Sequence, residues 1–382
     1  MTAPQLPPQV PELVIDHAAE LYALEVAAGS AAAAGVTAAV AELWSWAIRQ
    51  WVGRFRGIDR PVPDERSWDE YMTELETRVR AVRVDVGEPL RQWARDARIM
   101  GARQALTELV ADGELPQEYR ERWIDGEPDP DRQPLLRWIV DAQAAGARSP
   151  DPSAVLEQLL PTALPADVAE VLDAVDATAR GKLRAAADAA SHAAGSTFTH
   201  VVREVLAPAQ QAVTTAETTT AWTIHRAANA GIEAMARALG AERLWIAERD
   251  ACPDCLALSG AISVDGVFDV APAFGEPATP VWPAPPLRCP PRHPRCRCRT
   301  RLWLGRTRRN SNLPELLQAD AERSILLGLR RPGDSERRRL RAAAWLLDNG
   351  TTAPKTVQDR ARRAVRAQAF PSAPRRRSTS TR

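Results

Sequence analysis

Lysine is almost missing from this chain: Lys182 and Lys355 are the only two, so nearly all of the positive charge is arginine. The bias is one of coding composition, and no mechanism is read from it. Aromatic residues are scarce at 5%, and Trp dominates them, with twelve against three Tyr and five Phe. Few aromatics lie near the basic residues, which argues against a surface that stacks bases. Cysteine is absent outside residues 252–298. Met1 to Pro11 is proline-rich and lacks a basic segment ahead of an apolar one, so no secretory signal is expected. The longest weakly polar run, Ser30 to Ile48, is interrupted by Glu42 and consists mostly of Ala and Gly. Such a run gains little from hydrocarbon, and no membrane partner is expected. Without a signal the cysteines are expected in a reducing compartment, where clustered thiols more often hold metal than pair as disulfides.

Signatures of catalysis are also missing. No H-E-x-x-H helix occurs, and no H-x-E followed by P-C-x-x-C. Ser378-Thr379-Ser380 is followed by no acidic pair, so the R…S-T-S…E-x-E set of ADP-ribosyltransferases is absent. A metal nuclease would want clustered carboxylates or an H-N-H constellation, and neither is seen in the sequence. The chain is therefore expected not to be an enzyme, with no catalytic residues; a toxin-like or nuclease activity is the alternative that assays must address.

What is present is a chain of 382 residues, 45% hydrophobic and 26% charged. That length fits two or three domains, each able to bury a core. The net charge of +1 hides an asymmetry. From Arg301 onward 20 basic residues face 7 acidic ones, so that stretch carries +13 and the remainder −12. A basic tail implies either a polyanion partner or a solvated helical face.

The hydrophobic periodicity predicts a mainly α fold. Leu43, Trp44, Ala47, Ile48, Trp51, Val52 and Phe55 recur at three- and four-residue steps, one face of a helix that should stop near Gly57. Ser67 precedes Glu70 by three residues, the capping-box spacing, which predicts a helix starting there with Tyr71, Leu75 and Val79 inside. A third helix is expected from Pro89 to Val110, ending at Asp112-Gly113. This gives an N-terminal helical region, 1–115. A proline-punctuated connector, 116–165, follows with short helices over Leu135 to Ala145 and Ser153 to Leu160. Helices are expected again over Ala166 to Leu206 and Ala209 to Leu239. Leu244 to Ala247 reads as a strand, Gly260 to Phe268 as a tight turn, and Arg299 to Leu304 as a closing strand. Pro272 to Pro294 holds nine prolines and cannot be helical. The expected tail, 306–382, is Arg-rich, with helices over Leu313 to Leu329, Glu336 to Leu347 and Arg360 to Arg366, and disorder after Pro371.

All the cysteines fall in two groups: C-P-D-C at Cys252 and Cys255, and C-P-P-R-H-P-R-C-R-C with Cys289, His293, Cys296 and Cys298. A C-x-x-C pair turns two thiolates toward one point, and a second group can complete a tetrahedral zinc site. The candidate metal ligands are Cys252, Cys255, His293, Cys296 and Cys298, with zinc in a structural role. The alternative is a disulfide-linked or buried thiol cluster. There are more donors than four, and on a strand Cys296 and Cys298 would point to opposite faces. His17, His192, His200 and His225 are scattered and read as surface or packing residues. Glu217 and Asn229, three helical turns apart, read either as a buried polar contact or as ordinary helix residues.

The same stretch resembles the phage Mu F-like head-morphogenesis family. The pieces that carry the resemblance are Thr215-Ala216-Glu217, Asn229-Ala230-Gly231, Trp245, Asp250, Cys252-Pro253-Asp254-Cys255, Leu258-Ser259-Gly260, Phe268, Pro285-Pro286 and Pro291-Arg292-His293-Pro294-Arg295-Cys296-Arg297-Cys298. They agree in order and spacing over about a quarter of the chain. The family's Arg before Thr-Glu is absent here, with Ala216 near its place, and Cys289 with Pro290-Pro291 stands between the proline run and His293. The resemblance implies a small α+β Mu F-like domain over 166–305, with a Cys/His-clamped knob at 245–303. It also implies a portal-associated minor capsid protein that serves procapsid assembly or DNA delivery. Its partners would be portal and other capsid proteins, with packaged DNA meeting the Arg-rich tail. It would be assembled in a bacterial host's cytoplasm and reside in the virion. A zinc-stabilised nucleic-acid-binding protein is the alternative that the residues themselves allow.

Overall fold

A computed structural model of the chain describes residues 18–81, 87–113, 133–145, 151–160, 163–188, 197–270, 272–281, 285–306, 310–331 and 333–371. The expectations placed on Met1 to Pro11, His17, His192, most of the connector's prolines and the residues after Pro371 lie outside them. The architecture is mainly helical, with one two-stranded sheet. In chain order come α1 (Ala18–Phe55), α2 (Glu65–Ala81), α3 (Gly87–Asp112), α4 (Gln133–Ala145), α5 (Ser153–Leu159) and α6 (Ala166–Asp188). Next, α7 (Phe198–Val201) runs through a π-helical turn, Val202–Leu206, into α8 (Ala207–Leu239). Then follow β1 (Glu242–Ile246), α9 (Pro253–Ala257), β2 (Arg299–Trp303), α10 (Leu313–Leu327), α11 (Glu336–Asn349) and α12 (Lys355–Ala367).

These elements form two compact units. One takes Glu20–Gly101 and Pro161–Ala230. Its axis is α1, whose Leu21, Ala28, Ala32, Val36, Val40, Leu43, Ala47 and Trp51 are buried at helical spacing in one hydrophobic core. By length and composition α1 is also the one described helix able to cross a membrane. Trp51 packs its ring against Phe55, Tyr71 and Phe198 at centroid distances of 4.7, 5.2 and 5.5 Å. Helix α2 buries the expected Tyr71, Leu75 and Val79, but it starts at Glu65 rather than Ser67. The reason is a better cap: the Asp64 carboxylate accepts the Ser67 backbone N–H at 2.8 Å, filling the role foreseen for Ser67. Helices α3 and α8 approach so closely at Gly101 that a side-chain carbon there would lie 1.8 Å from the Ala228 carbonyl oxygen. His225 is a buried packing residue whose Nδ1 meets Glu25 Oε1 at 2.5 Å. Glu217 is exposed, whereas the buried Asn229 donates to the His225 carbonyl, so the two do not share one buried environment.

The second unit takes Ala102–Leu160 and Gly231–Arg382. Packing thus departs from the four segments expected in chain order. The end of α3 with α4 and α5 shares a core with Ile232, Met235, Leu239, Leu302 and Leu304. Helices α10, α11 and α12 are no loose tail, because each carries an apolar stripe: Leu317, Ala321 and Ile325; Leu340, Ala343 and Leu346; Val357, Ala361 and Ala364. Most of these pack into the core that holds Cys255, Cys296 and Cys298.

Strands β1 and β2 pair antiparallel, with Glu242 opposite Trp303 and Ile246 opposite Arg299. Every residue of β2 is buried, although two are arginines. Residues two apart on a strand share a face, and residues four apart on a helix do too. Arg299 therefore reaches Glu108 at 2.8 Å and Arg301 reaches Asp112, one turn further along α3. Burial pushes the Asp112 carboxyl above its ordinary range against the pull of Arg301. The turn after β1 closes on Asp265 and Gly266, both at positive φ (49° and 72°), between the paired Val264 and Val267. That is the backbone a two-residue hairpin requires.

Candidate metal centre

The strand register explains how two cysteine groups some forty residues apart in sequence come together. Because Ile246 pairs with Arg299, the chain leaving β1 and the chain entering β2 lie side by side. The first carries C-P-D-C. Cys252 is the extended residue flanking α9, and Pro253 occupies the first helical position, where its missing N–H costs nothing. Cys255 then falls in the same turn, and Leu256 N–H donates to the Cys252 carbonyl at 3.0 Å. The second carries His293, Cys296 and Cys298. Cys296 N–H donates to the His293 carbonyl at 3.0 Å, and Arg295 takes a left-handed φ of 63°.

Cys252 Sγ lies 3.1 Å and Cys255 Sγ 3.3 Å from His293 Nε2, and Cys255 Sγ lies 3.7 Å from Cys296 Sγ. Two triads, Cys252–Cys255–His293 and Cys255–Cys296–Cys298, each gather donors within 4.8 Å of one another. Cys255 belongs to both. All five candidate ligands are thus brought together, and they could hold a metal ion. Cys296 and Cys298 do not diverge as a strand would dictate, because they precede β2, which begins at Arg299. A tetrahedral ion with Zn–S bonds near 2.3 Å has an S···S edge of roughly 3.8 Å. The Cys255–Cys296 separation matches that edge, and the donor set of soft thiols with one imidazole fits zinc chemistry. None of the five cysteines is disulfide-bonded. Cys289 stands apart; its buried thiol lies 3.8 Å from Glu233 Oε2.

The electrostatics are those of a partly ionised cluster. Hydrogen bonding to Cys255, then to His293, brings the Cys252 thiol down to about 5 against the opposing effect of burial. Its neighbours pay the converse: contact with Cys252 and with the other thiols pushes Cys255 well above the ordinary thiol value, and burial does the same to Cys298. Burial opposes the charge on His293, yet contact with Cys252 and the field of Cys296 raise it to about 9.

The surroundings hold the candidate ligands in place. Asp254, 1% exposed, accepts from Thr279 Oγ1 at 2.7 Å and pairs with Arg338 at 2.7 Å. Arg292 donates to the carbonyls of Asp254 and Thr279 at 3.1 and 2.8 Å. These bonds tie the proline-rich segment to the C-P-D-C turn. Arg297 grips both oxygens of Asp250 at 2.7 and 2.6 Å. Arg331 shares Asp250 at 3.5 Å, and Arg339 donates to the Ala251 carbonyl at 2.7 Å. A cavity of about 200 Å³ opens on the cluster, lined by Cys252, His293, Arg295, Arg297, Arg331 and Asp334 among others.

Sequence reasoning missed these arginines as parts of the centre. It weighed the arginine-rich tail as a polyanion surface or a solvated face, but Arg330, Arg331, Arg338 and Arg341 are held by Glu336, Asp250, Asp254 and Glu276. The available signal was periodicity: Arg339 stands three and four residues before the buried Ala342 and Ala343 of α11, on the same face. No known protein family, no curated protein and no solved structure matches the chain.

Proposed function

We propose that this chain is a metal-stabilised structural protein in which four of Cys252, Cys255, His293, Cys296 and Cys298 hold one zinc ion. The convergence of the C-P-D-C and H-P-R-C-R-C loops on the shared Cys255 carries that reading. Zinc would supply rigidity: it would cross-link the loop leaving β1 to the loop entering β2 and fix the core beneath α10–α12. Surplus thiolates and buried Cys255, Cys296 and Cys298 favour a closed site over an open catalytic one.

More particularly, the protein is a head-morphogenesis protein of a tailed phage, of the Mu F type. It acts as a portal-associated minor capsid component in procapsid assembly or DNA delivery. Its partners are the portal and other capsid proteins, and its place is the virion. The motif order from Thr215 to Cys298 supports this assignment. Packaged DNA would meet the outer face of α12, where Lys355, Arg360, Arg362, Arg363 and Arg366 are exposed and Asp359 is the only acid. That face lacks large apolar residues, so contact would be with phosphates and would weaken steeply with salt.

The test has three parts. Metal analysis of purified protein should find one zinc per chain. Nuclease and NAD-consumption assays should show no turnover. Mass spectrometry of purified phage particles should find the chain at few copies per head. Robust turnover abolished by one point substitution, or absence from particles and procapsids alike, would sink the assignment.

A further inference from the structure

We propose that Arg331 and Arg339 are the counter-charges of the metal–thiolate centre, so that loading the metal and seating the C-terminal helices on the cysteine loops form one coupled event. The inference rests on the zinc reading above and extends it to residues outside the ligand set.

The argument starts from charge balance. A divalent ion with three thiolates and an imidazole carries −1, and with four thiolates −2. Three of the thiols, Cys255, Cys296 and Cys298, are at most 4% exposed, so water can offset that charge only from the cavity beside Cys252 and His293. Buried charge needs a partner of opposite sign. Of the nearby cations, Arg297 is committed to Asp250, its Nη2 donating to both carboxylate oxygens. Arg331 lines the same cavity as the cysteines and reaches Asp250 only at 3.5 Å, sharing it with Arg297. Asp250 thus faces two guanidinium groups, with Asp334 the other carboxylate on the cavity wall.

Arg339 is the more telling case. It is 1% exposed, yet it makes no ion pair among the described residues. Its Nη2 donates to the carbonyl of Ala251, the residue before Cys252, and its Nη1 has no partner. A buried guanidinium with no carboxylate in direct contact is costly, and a buried thiolate cluster without a cation is costly too. Each supplies what the other lacks. Arg331 lies between α10 and α11, and Arg339 lies in the first turn of α11, so the cations come from the C-terminal helices and the anions from the loops of the sheet. When the metal leaves, protons replace it on the thiolates, so the centre becomes less negative and Arg339 loses the thiolate charge that offsets its own, which loosens α10–α12 from the loops.

The experiment measures zinc affinity of the full chain by competition with a chromophoric chelator, and hydrogen exchange across residues 313–367 with and without chelation. Arg339→Met should weaken zinc about tenfold or more, and Arg339→Lys should recover part of the loss. Arg341→Met, which removes an exposed pair with Glu276, should stay within about twofold. Chelation should speed exchange in α10–α12 while α1 and α2 keep their protection. Should Arg339→Met fail to fold, Arg331→Met carries the test, with a severalfold loss expected. Unchanged affinity in a folded Arg339→Met or Arg331→Met chain, or exchange in 313–367 indifferent to chelation, overturns the inference and leaves the zinc reading standing. A parent chain that takes up no zinc overturns both.

Discussion

Replacing Gly101 with alanine sets two effects of known size against each other. Gly101 lies inside α3, and alanine in a helix interior is favoured over glycine by about 1 kcal/mol. Against that, the new methyl carbon would meet the Ala228 carbonyl oxygen at 1.8 Å, its carbon at 2.6 Å and its Cα at 3.1 Å. All three are backbone atoms and cannot rotate aside. Helices α3 and α8 would have to part, loosening the core around Ala94, Ala97, Ile224 and Ala227. Overpacking of this kind costs typically ~1–3 kcal/mol and sometimes more, and the backbone character of the clash puts Gly101 at the upper end. The net expectation is a loss of about 1–2 kcal/mol, or a fall in Tm of roughly 2–8 °C for a domain of this size. Gly181→Ala is the matched control. It lies within α6 with nothing inside 4 Å of the added carbon, so propensity alone should act and stability should rise by up to ~1 kcal/mol. Thermal and denaturant unfolding followed by far-UV circular dichroism reads both. A Gly101→Ala chain as stable as its parent would refute the close crossing of α3 and α8.

The other predictions follow from single contacts. Asp64→Ala should lower the urea midpoint by removing the cap of α2, while Ser67→Ala should leave it nearly unchanged; equal losses would restore Ser67 as the cap. Arg301→Met leaves Asp112 buried without its cation and should cost about 3–5 kcal/mol, whereas Arg301→Met with Asp112→Leu should recover much of that loss. A double variant no better than the single would refute the pairing. Metal uptake should release protons, because His293 sits near 9 and Cys255 and Cys298 are held high, so near neutral pH these ligands carry protons that the ion must displace. Affinity therefore falls as the pH falls. Calorimetry in buffers of different ionisation enthalpy should count about two or more protons per ion, and a count near zero would contradict the ligand assignment.

Much of this fold was legible in the sequence because periodicity is a local signal. Tyr71, Leu75 and Val79 announced a buried helical face, and Gly113 and Gly240 mark helix ends at positive φ. The convergence of the cysteine groups was legible because C-x-x-C and H-x-x-C spacings fix local geometry by themselves. What stayed hidden depended on contacts between distant residues. Nothing local to Arg299 or Arg301 says that Glu108 and Asp112 wait one helical turn apart to receive them. Likewise, Arg331 and Arg339 look like members of a basic tail until α10 and α11 place them against Asp250 and Ala251. Cys289 and Cys298 both belong to the second group, yet only Cys298 reaches Cys255, because it adjoins the strand that β1 pairs with.

The most direct test of the central claim is the zinc content, by elemental analysis, of the parent chain beside Cys255→Ser and Cys289→Ser. The account predicts one equivalent in the parent and in Cys289→Ser, and almost none in Cys255→Ser, whose helices α1 and α2 should still fold. Equal metal in the Cys255→Ser chain, or none in the parent, would contradict it.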